Sequence, residues 1–359
     1  MARSFLPCYA GRMINVGIVG IGFMGWIHWL AYKAAQGIRV GAVSSRDPKR
    51  RAGDWRGIQG NFGPPGEQVD LSGVKAYERL EELLRDPAVD LVDLCLPPNL
   101  HAEATLQALA AGKHVFCEKP MALSTADCDR MVEAARKAGK QLFVGHVLPF
   151  FPEYAEARRL ISEGRHGKLL GGSFKRVISD PSWLKDFYDP RKIGGPLVDL
   201  HVHDAHLIRL LFGLPRAVAG QGRMRGEVVA YCQSMFRFPD ASLVVSAASG
   251  VVNQPGRAFT HGFEIHLEKA TLQYEFAVID GKPRLFMPLT VYEADGRVRQ
   301  PELGDGDPVR AFQGEIAEIV GALDSGRPSP ILSGDLARDA LLLCHKQTEA
   351  VRSGREVPL

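Results

Sequence analysis

Two stretches of this sequence carry residue types at spacings that chemistry requires. The first is Val16–Gly25, VGIVGIGFMG. It follows the apolar run Ile14–Val19 and leads into Phe23–Ala35, which has no breaker until Gly37. A GxGxxG placed where a strand turns into a helix is a dinucleotide cradle. Gly20 permits the tight turn, Gly22 lets the backbone approach a pyrophosphate, and Gly25 lets helix and strand pack closely. The free N–H groups of the helix start, at Phe23 and Met24, then face the phosphates. About 20 positions further on, such a site usually has a carboxylate for the ribose 2′-OH. Here the second strand ends Val43-Ser44-Ser45-Arg46, without one. A carboxylate would repel a 2′-phosphate, whereas Ser45 with Arg46 would bind it. The expected cofactor is therefore NADP, with NAD as the alternative through Asp47.

The second stretch is Asp199-Leu-His201-Val-His203-Asp204-Ala-His206. If it is helical, positions 199, 203 and 206 share a face and His201 and Asp204 point elsewhere. An imidazole there titrates near neutral pH and can take and return a proton. HxH beside a carboxylate is also a ligand pattern for zinc or iron, but a helix splits that pair, so no metal is expected. Lys119 closes another apolar run, at the end of a parallel strand, where open α/β sheets bind ligands. Position alone reads more readily as a solvated lysine.

The elements that position these residues come in two kinds. From Met13 to about Gly145, strands and helices alternate: Ile14–Val19, Val40–Val43, Leu91–Leu96, His114–Cys117 and Gln141–Val144 as strands. Between them lie helices at Phe23–Ala35, Tyr77–Arg85, Ala102–Ala111 and from the Ser124/Asp127 capping box to Gly139. This alternation predicts a parallel sheet covered on both faces. Beyond Gly145 a helix ends at Glu163, and period-two runs follow, with Phe263, Ile265 and Leu267 and then Leu272, Tyr274 and Phe276 on one face. Such alternation suits an antiparallel sheet with one wet face. Helical periodicity returns at Val309–Leu323 and Leu336–Arg352. The expected division is a nucleotide-binding domain over 13–145, a second domain over 146–359 and a disordered leader over 1–12.

Bulk properties narrow the partners. The chain has 359 residues, 45% hydrophobic and 24% charged, with a net charge of +3. That bias is too small to argue for nucleic acid or a membrane surface. No apolar run reaches the roughly 18 residues of a membrane span. The start of the chain lacks the apolar core of a signal peptide. The six cysteines form no CxxC pair, which reads as reduced thiols in a cytoplasmic protein.

Several segments together resemble the glucose–fructose oxidoreductase and inositol dehydrogenase family, Gfo/Idh/MocA. They are Ala111–Pro120 (AGKHVFCEKP), Gly25-Trp26-Ile27-His28, Pro97-Pro98-Asn99 with His101, Val144-Gly145-His146, and Gly194–Asp199 with His203. The resemblance runs from about Met13 to the C-terminus and is looser after Gly220. It implies an α/β protein, a Rossmann domain followed by an α/β domain with an open, mostly antiparallel sheet. It places an active site in the cleft between them and a homodimer or homotetramer through the second sheet. The implied reaction is hydride transfer between nicotinamide and a secondary alcohol or carbonyl of a sugar, sugar derivative or cyclitol.

Such a reaction needs a base near the oxygen and a group that stabilises its charge. The resemblance assigns these roles to Lys119, Asp199 and His203, with Glu118 positioning the lysine loop. It adds Leu96, Pro97, Asn99, His101, Glu118 and Lys119 to the cofactor-binding residues. It adds His146, Arg176, Trp183 and His206 to Lys119, Asp199 and His203 on the substrate side. The sequence departs from the family pattern at His201, where Gly is common, at His206, where Asp is common, and at Pro149, where Arg is common. These changes alter which charged groups the pocket would accept. A glycosidase that uses tightly held nicotinamide for transient oxidation and elimination is a second reading, and a non-catalytic nucleotide and sugar sensor a third.

Overall fold

The computed structural model describes residues 11–304 and 306–359. The leader expected over 1–12 lies outside these residues, except for Gly11 and Arg12, and Arg12 donates a hydrogen bond to Asp90. The chain divides into two compact units. The first runs to Phe150 and adds Asp307–Arg338, and the second holds Phe151–Gly306 and Asp339–Leu359. The first crossing thus falls five residues past the expected boundary at 145, and the segment 307–338 returns to the nucleotide-binding side. Among the described residues no helix is long and apolar enough to cross a membrane. Cys95, Cys117, Cys128, Cys232 and Cys344 are free thiols, and Cys8 lies outside the described residues.

The first unit is built on six strands: β1 (Ile14–Val19), β2 (Ile38–Ser44), β3 (Lys75–Tyr77), β4 (Leu91–Leu94), β5 (His114–Glu118) and β6 (Leu142–Gly145). All neighbours are parallel, in the order β3-β2-β1-β4-β5-β6. The apolar runs explain this, because β4 and β5 are buried at every residue. A strand buried on both faces must be covered by helices on both. Those helices are α1 (Phe23–Ala34), α2 (Pro48–Arg51), α3 (Leu80–Leu84), α4 (His101–Ala110) and α5 (Thr125–Ala138). Strand order reverses between β1 and β4, so the loops after these strands flank the crevice where doubly wound sheets bind ligands.

Local details differ from expectation in places. Tyr77, expected to begin a helix, ends β3, because its backbone carbonyl pairs with the Ser45 N–H at 3.0 Å across the sheet. Ser124 caps α5 by accepting from the Asp127 N–H, but the Asp127 carboxylate accepts from the Ser124 hydroxyl instead of completing a reciprocal box.

The second unit opens with α6 (Pro152–Ser162) and β7 (Leu169–Ser179). A π-helical turn over Leu197–His201 then leads into α7 (Val202–Phe212). The strands β8 (Ala217–Arg225), β9 (Val228–Arg237), β10 (Val244–Val252), β11 (Arg257–Leu267), β12 (Ala270–Ile279), β13 (Lys282–Glu293) and β14 (Val298–Arg299) follow. Then come α8 (Val309–Ser325), α9 (Gly334–Ser353) and β15 (Val357–Pro358). The sheet order is β14-β13-β12-β11-β7-β10-β9-β8-β15, antiparallel throughout except for β7 beside β10. Phe263, Ile265 and Leu267 are buried while Glu264 and His266 between them are half-buried, the alternation of a sheet with one covered face. Phe174 on β7 meets Phe212 on α7 edge-on at 6.2 Å, which seats that helix on the covered face.

His114 at the start of β5 yields a stability test. Its Nδ1 accepts from the Gln141 backbone N–H at 3.0 Å, so the folded protein needs the neutral ring. Burial, with help from Lys140, pushes its pKa down to about 4. Between about pH 6.5 and pH 4 the unfolded chain takes up a proton that the folded chain refuses. This contribution is full above the unfolded value and is lost as pH falls through that window, by up to about 1.4 kcal/mol per pH unit. Urea unfolding should therefore show a steeper acid loss for the natural protein than for His114→Gln, which cannot titrate. Parallel curves for the two would contradict it.

Candidate active site

The glycine loop is shaped from both sides by backbone. Gly20 has φ +95°, and a Cβ there would stand 2.4 Å from the Cys95 carbonyl oxygen. A Cβ on Gly25 would stand 2.3 Å from the Gly20 carbonyl oxygen. Gly22 differs: a Cβ there would meet nothing within 4 Å. It is the N-cap of α1 and offers no side-chain hydrogen bond to the helix start. The N–H groups at Phe23 and Met24 are thus left for an incoming acceptor. An open approach over a bare helix N-terminus fits the pyrophosphate of a dinucleotide, and Gly20, Gly22, Phe23 and Met24 would hold it.

Ser45 and Arg46 follow β2 at the same edge. The Ser45 Oγ accepts from the Asp47 N–H at 3.2 Å, and its carbonyl accepts from Arg51 Nη1 at 2.7 Å. Asp47 caps α2 through the Lys49 N–H at 2.9 Å and faces Arg50 at 3.8 Å. The Asp47 carboxylate is therefore engaged by its own helix and by a guanidinium, and Glu78 beside the strand end faces Arg51 at 3.4 Å. Arg46 is exposed.

On the other side of the switch point, Pro97 and Asn99 are exposed and Leu96 is half-buried. His101 is fully buried. Its Nδ1 faces the Pro120 carbonyl at 2.8 Å and its Nε2 the Leu96 carbonyl at 2.7 Å. Burial lowers its pKa, against the pull of the two carbonyls. His101 thus bridges the Leu96–Pro97 loop and the Lys119–Pro120 loop from beneath, the neutral ring that burial favours donating to one of the two carbonyls at a time. The Lys119–Pro120 peptide is cis.

Lys119 is half-buried at the end of β5. Its backbone N–H donates to Glu118 Oε2 at 3.0 Å, and Glu118 Oε1 lies 3.0 Å from His28 Nε2. His28 Nδ1 lies 2.9 Å from Asp93 Oδ2, which also accepts from the Tyr32 hydroxyl at 3.0 Å. Burial disfavours charge on His28, yet Asp93 beside it holds its pKa well above the usual value. The donor atoms of His28, Asp93 and Cys95 lie within 4.8 Å of one another, close enough to hold a metal ion. However, the 2.9 Å contact has the length of a charged hydrogen bond, His28 Nε2 is engaged by Glu118, and burial pushes the Cys95 thiol up and away from ionisation. Hydrogen bonding accounts for the cluster without an ion. The sequence shows Glu118 of this network beneath the lysine loop, but not its link to His28, Asp93 and Tyr32. The available signal for that link was Asp93, a charge inside the apolar strand LVDLCL.

In the second unit, Asp199 sits in the π turn and His203 in the first turn of α7. From Leu197 to Ile208 every residue is buried except these two. His201, Asp204 and His206 point inward, each at most 1% exposed. Along the expected common face, 199 and 203 are thus half-buried and 206 is fully buried. A π turn bonds i to i+5 and breaks the α-helical phase that the alignment assumed. Arg176 is 5% exposed. It donates to Asp204 through Nε at 2.7 Å and Nη2 at 3.2 Å, a buried two-pronged pair. Behind it the Tyr154 hydroxyl meets His261 Nδ1 at 2.8 Å, and burial, then Arg176, drives the His261 pKa well down. Trp183 is 68% exposed, and His146 is fully buried after β6.

The chain matches two family profiles. Residues 14–146 match the oxidoreductase family GFO_IDH_MocA, described as an NAD-binding Rossmann fold, and residues 154–273 match the GFO/IDH/MocA C-terminal domain. Myo-inositol 2-dehydrogenase of Thermotoga maritima is 28% identical over 96% of this chain and 98% of its own. The 2,7-anhydro-N-acetylneuraminate hydratase of Escherichia coli K12 is 32% identical over 93% of this chain and 86% of its own. Among solved structures, levoglucosan dehydrogenase in complex with NADH and levoglucosan superposes with a TM-score of 0.76. It is 23% identical and covers 97% of this chain and 99% of its own.

The open space over Gly22 gives a test of the cradle. A Cβ at position 22 meets nothing in the protein itself, but the side chain of Gly22→Val fills the approach of the pyrophosphate. Calorimetry should show dinucleotide binding lost while the urea midpoint stays unchanged. Unchanged affinity would place the cofactor elsewhere.

Proposed function

This chain belongs to the Gfo/Idh/MocA oxidoreductases with an NAD-binding Rossmann fold, and from that premise we propose that it oxidises a secondary alcohol on a sugar, sugar derivative or cyclitol, reversibly. The observation that carries this reading is the exposure pattern of residues 197–208, where Asp199 and His203 alone are open to a ligand. A proton-accepting pair raised from a buried helix is what alcohol oxidation asks of the substrate side. Bound nicotinamide would accept the hydride. In this assignment His203 takes the hydroxyl proton, Asp199 orients the imidazole or the hydroxyl, and Lys119 stabilises the oxygen as charge develops on it. Arg176, through Asp204, fixes the helix that bears the pair. The names of the relatives support the substrate class, since inositol, levoglucosan and anhydro-sugar derivatives are all polyhydroxylated rings.

For the cofactor we favour NADP, with NAD as the alternative. Ser45 and exposed Arg46 offer donors to a 2′-phosphate, and Asp47 is engaged as a helix cap. Self-association as a homodimer or homotetramer is assigned to the uncovered face of the nine-stranded sheet, where Met235 is 38% exposed. The protein so described works on small molecules in the cytoplasm. A second reading is favoured by one finding, the hydratase relative. It is oxidation followed by elimination or addition and return of the hydride, with no net use of cofactor. Net reduction of added NAD(P) separates the two.

Two outcomes test the assignment. Lys119→Ala and His203→Ala should each lower turnover by roughly 10²–10⁴-fold, and the double variant by less than the product of the two, because the groups act together. A His203→Ala enzyme with full turnover would refute the role. The pair Ser45→Asp with Arg46→Ala should move preference toward NAD, each lost charged hydrogen bond costing about 1.5–3 kcal/mol. An unmutated protein that binds NAD more tightly than NADP would overturn the cofactor choice.

A further inference from the structure

Behind Lys119, four elements of the first unit bring ionisable side chains into one buried place. Helix α1 supplies His28 and Tyr32, β4 supplies Asp93, β5 supplies Glu118 and α8 supplies Glu315. His28 has a carboxylate at each ring nitrogen, Asp93 at 2.9 Å and Glu118 at 3.0 Å. A ring that donates from both nitrogens is the imidazolium. One cation between two carboxylates leaves a net charge of about −1 in a low-dielectric core, which the donors from Tyr32 and the Lys119 backbone help to disperse.

Glu315 is the member this arrangement leaves unexplained. It is 1% exposed. Neither carboxyl oxygen has a hydrogen-bond partner among the described residues. The titratable groups around it are Glu118 from β5, His28 and Tyr32 from α1 and Asp93 from β4. One turn earlier on the same helix, Phe312 lies 5.8 Å from the His28 ring, whose other neighbour is Phe116, stacked at 5.0 Å. Glu118 packs closely against β6, where a Cβ on Gly145 would stand 2.9 Å from its Oε1. A second unshielded negative charge beside Glu118 would lack both solvent and a counter-ion.

We propose that Glu315 is a positioning residue that stands in the core as a neutral carboxylic acid, and that its neutrality keeps Glu118 ionised and holding the Lys119 backbone. Burial and the neighbouring Glu118 both push its pKa well above the ordinary carboxylate range, and only His28 pulls the other way to any extent. The proton is thus parked on the carboxyl that touches no donor, and the carboxylate that must accept from Lys119 stays charged. The consequence for turnover rests on the proposed role of Lys119, while the protonation state of Glu315 does not.

Infrared spectroscopy of the intact protein at neutral pH reads the proton directly. The wild type should show the C=O stretch of a buried carboxylic acid, and Glu315→Gln should lose it. The band should survive in Glu118→Gln. In the pH profile of turnover, the alkaline step that accompanies loss of this band in the wild type should be absent from Glu315→Gln. If Glu315→Gln does not fold, wild-type protein labelled with ¹³C at the glutamate carboxyl should still show one glutamate in its acid form at neutral pH. No such acid signal, or a band lost in Glu118→Gln and kept in Glu315→Gln, overturns the proposal. Full turnover of Lys119→Ala would instead defeat the assigned reaction and leave the infrared result standing.

Discussion

The carboxylate of Glu118 is the constraint on which the nucleotide-binding unit's reactive edge depends. One oxygen accepts from the backbone of Lys119 and the other faces His28. The strand end that bears Lys119 is thereby fastened to the first helix of the Rossmann unit. Buried charges are tolerable only when paired and hydrogen-bonded. That requirement draws in Asp93 and Tyr32 and shapes the core of a sheet whose strands are otherwise apolar. The same demand explains why Gly145 stands where β6 passes Glu118 and leaves no room for a side chain.

His101 adds a second fastening. Buried between the carbonyls of Leu96 and Pro120, with one ring nitrogen at 2.7 Å and the other at 2.8 Å, it couples the loop after β4 to the loop after β5. These are the loops that flank the point where strand order reverses, so their spacing is set by side chains beneath the surface. A ligand that enters there meets a site already held in place, which lowers the ordering cost of binding.

The second unit solves a similar problem with a helix. Arg176 and Asp204 form a buried two-pronged pair that anchors α7 to β7. A π turn precedes it, and along this stretch Asp199 and His203 are half-buried while His201 and His206 are fully buried. π turns within helices often mark functional positions, where they re-aim a side chain that an ideal helix would misplace.

The sequence by itself determined the features whose causes are local. The glycine spacing after Ile14–Val19 marks a strand-to-helix turn because backbone clashes act between residues a few positions apart, and Gly20 and Gly25 meet those clashes as expected. The period-two runs at Phe263–Leu267 and Leu272–Phe276 mark strands because side chains on a pleat alternate. The strand-helix alternation up to Gly145 marks the parallel sheet for the same kind of reason. Tertiary structure decided whatever depends on partners far apart in the chain. Tyr77 became a strand end because β2 needed a partner at Ser45. Residues 307–338 returned to the first unit and brought Glu315 among His28, Asp93 and Glu118. Arg176, a cation free to meet a ligand in the one-dimensional reading, is held by Asp204, 28 residues away. His206 shares a spacing with Asp199 and His203 but not their exposure, because burial is set by what packs against the helix. Ionisable groups are the hardest to place from sequence, since burial and the nearest opposite charge fix their roles, and both are set only when distant segments pack.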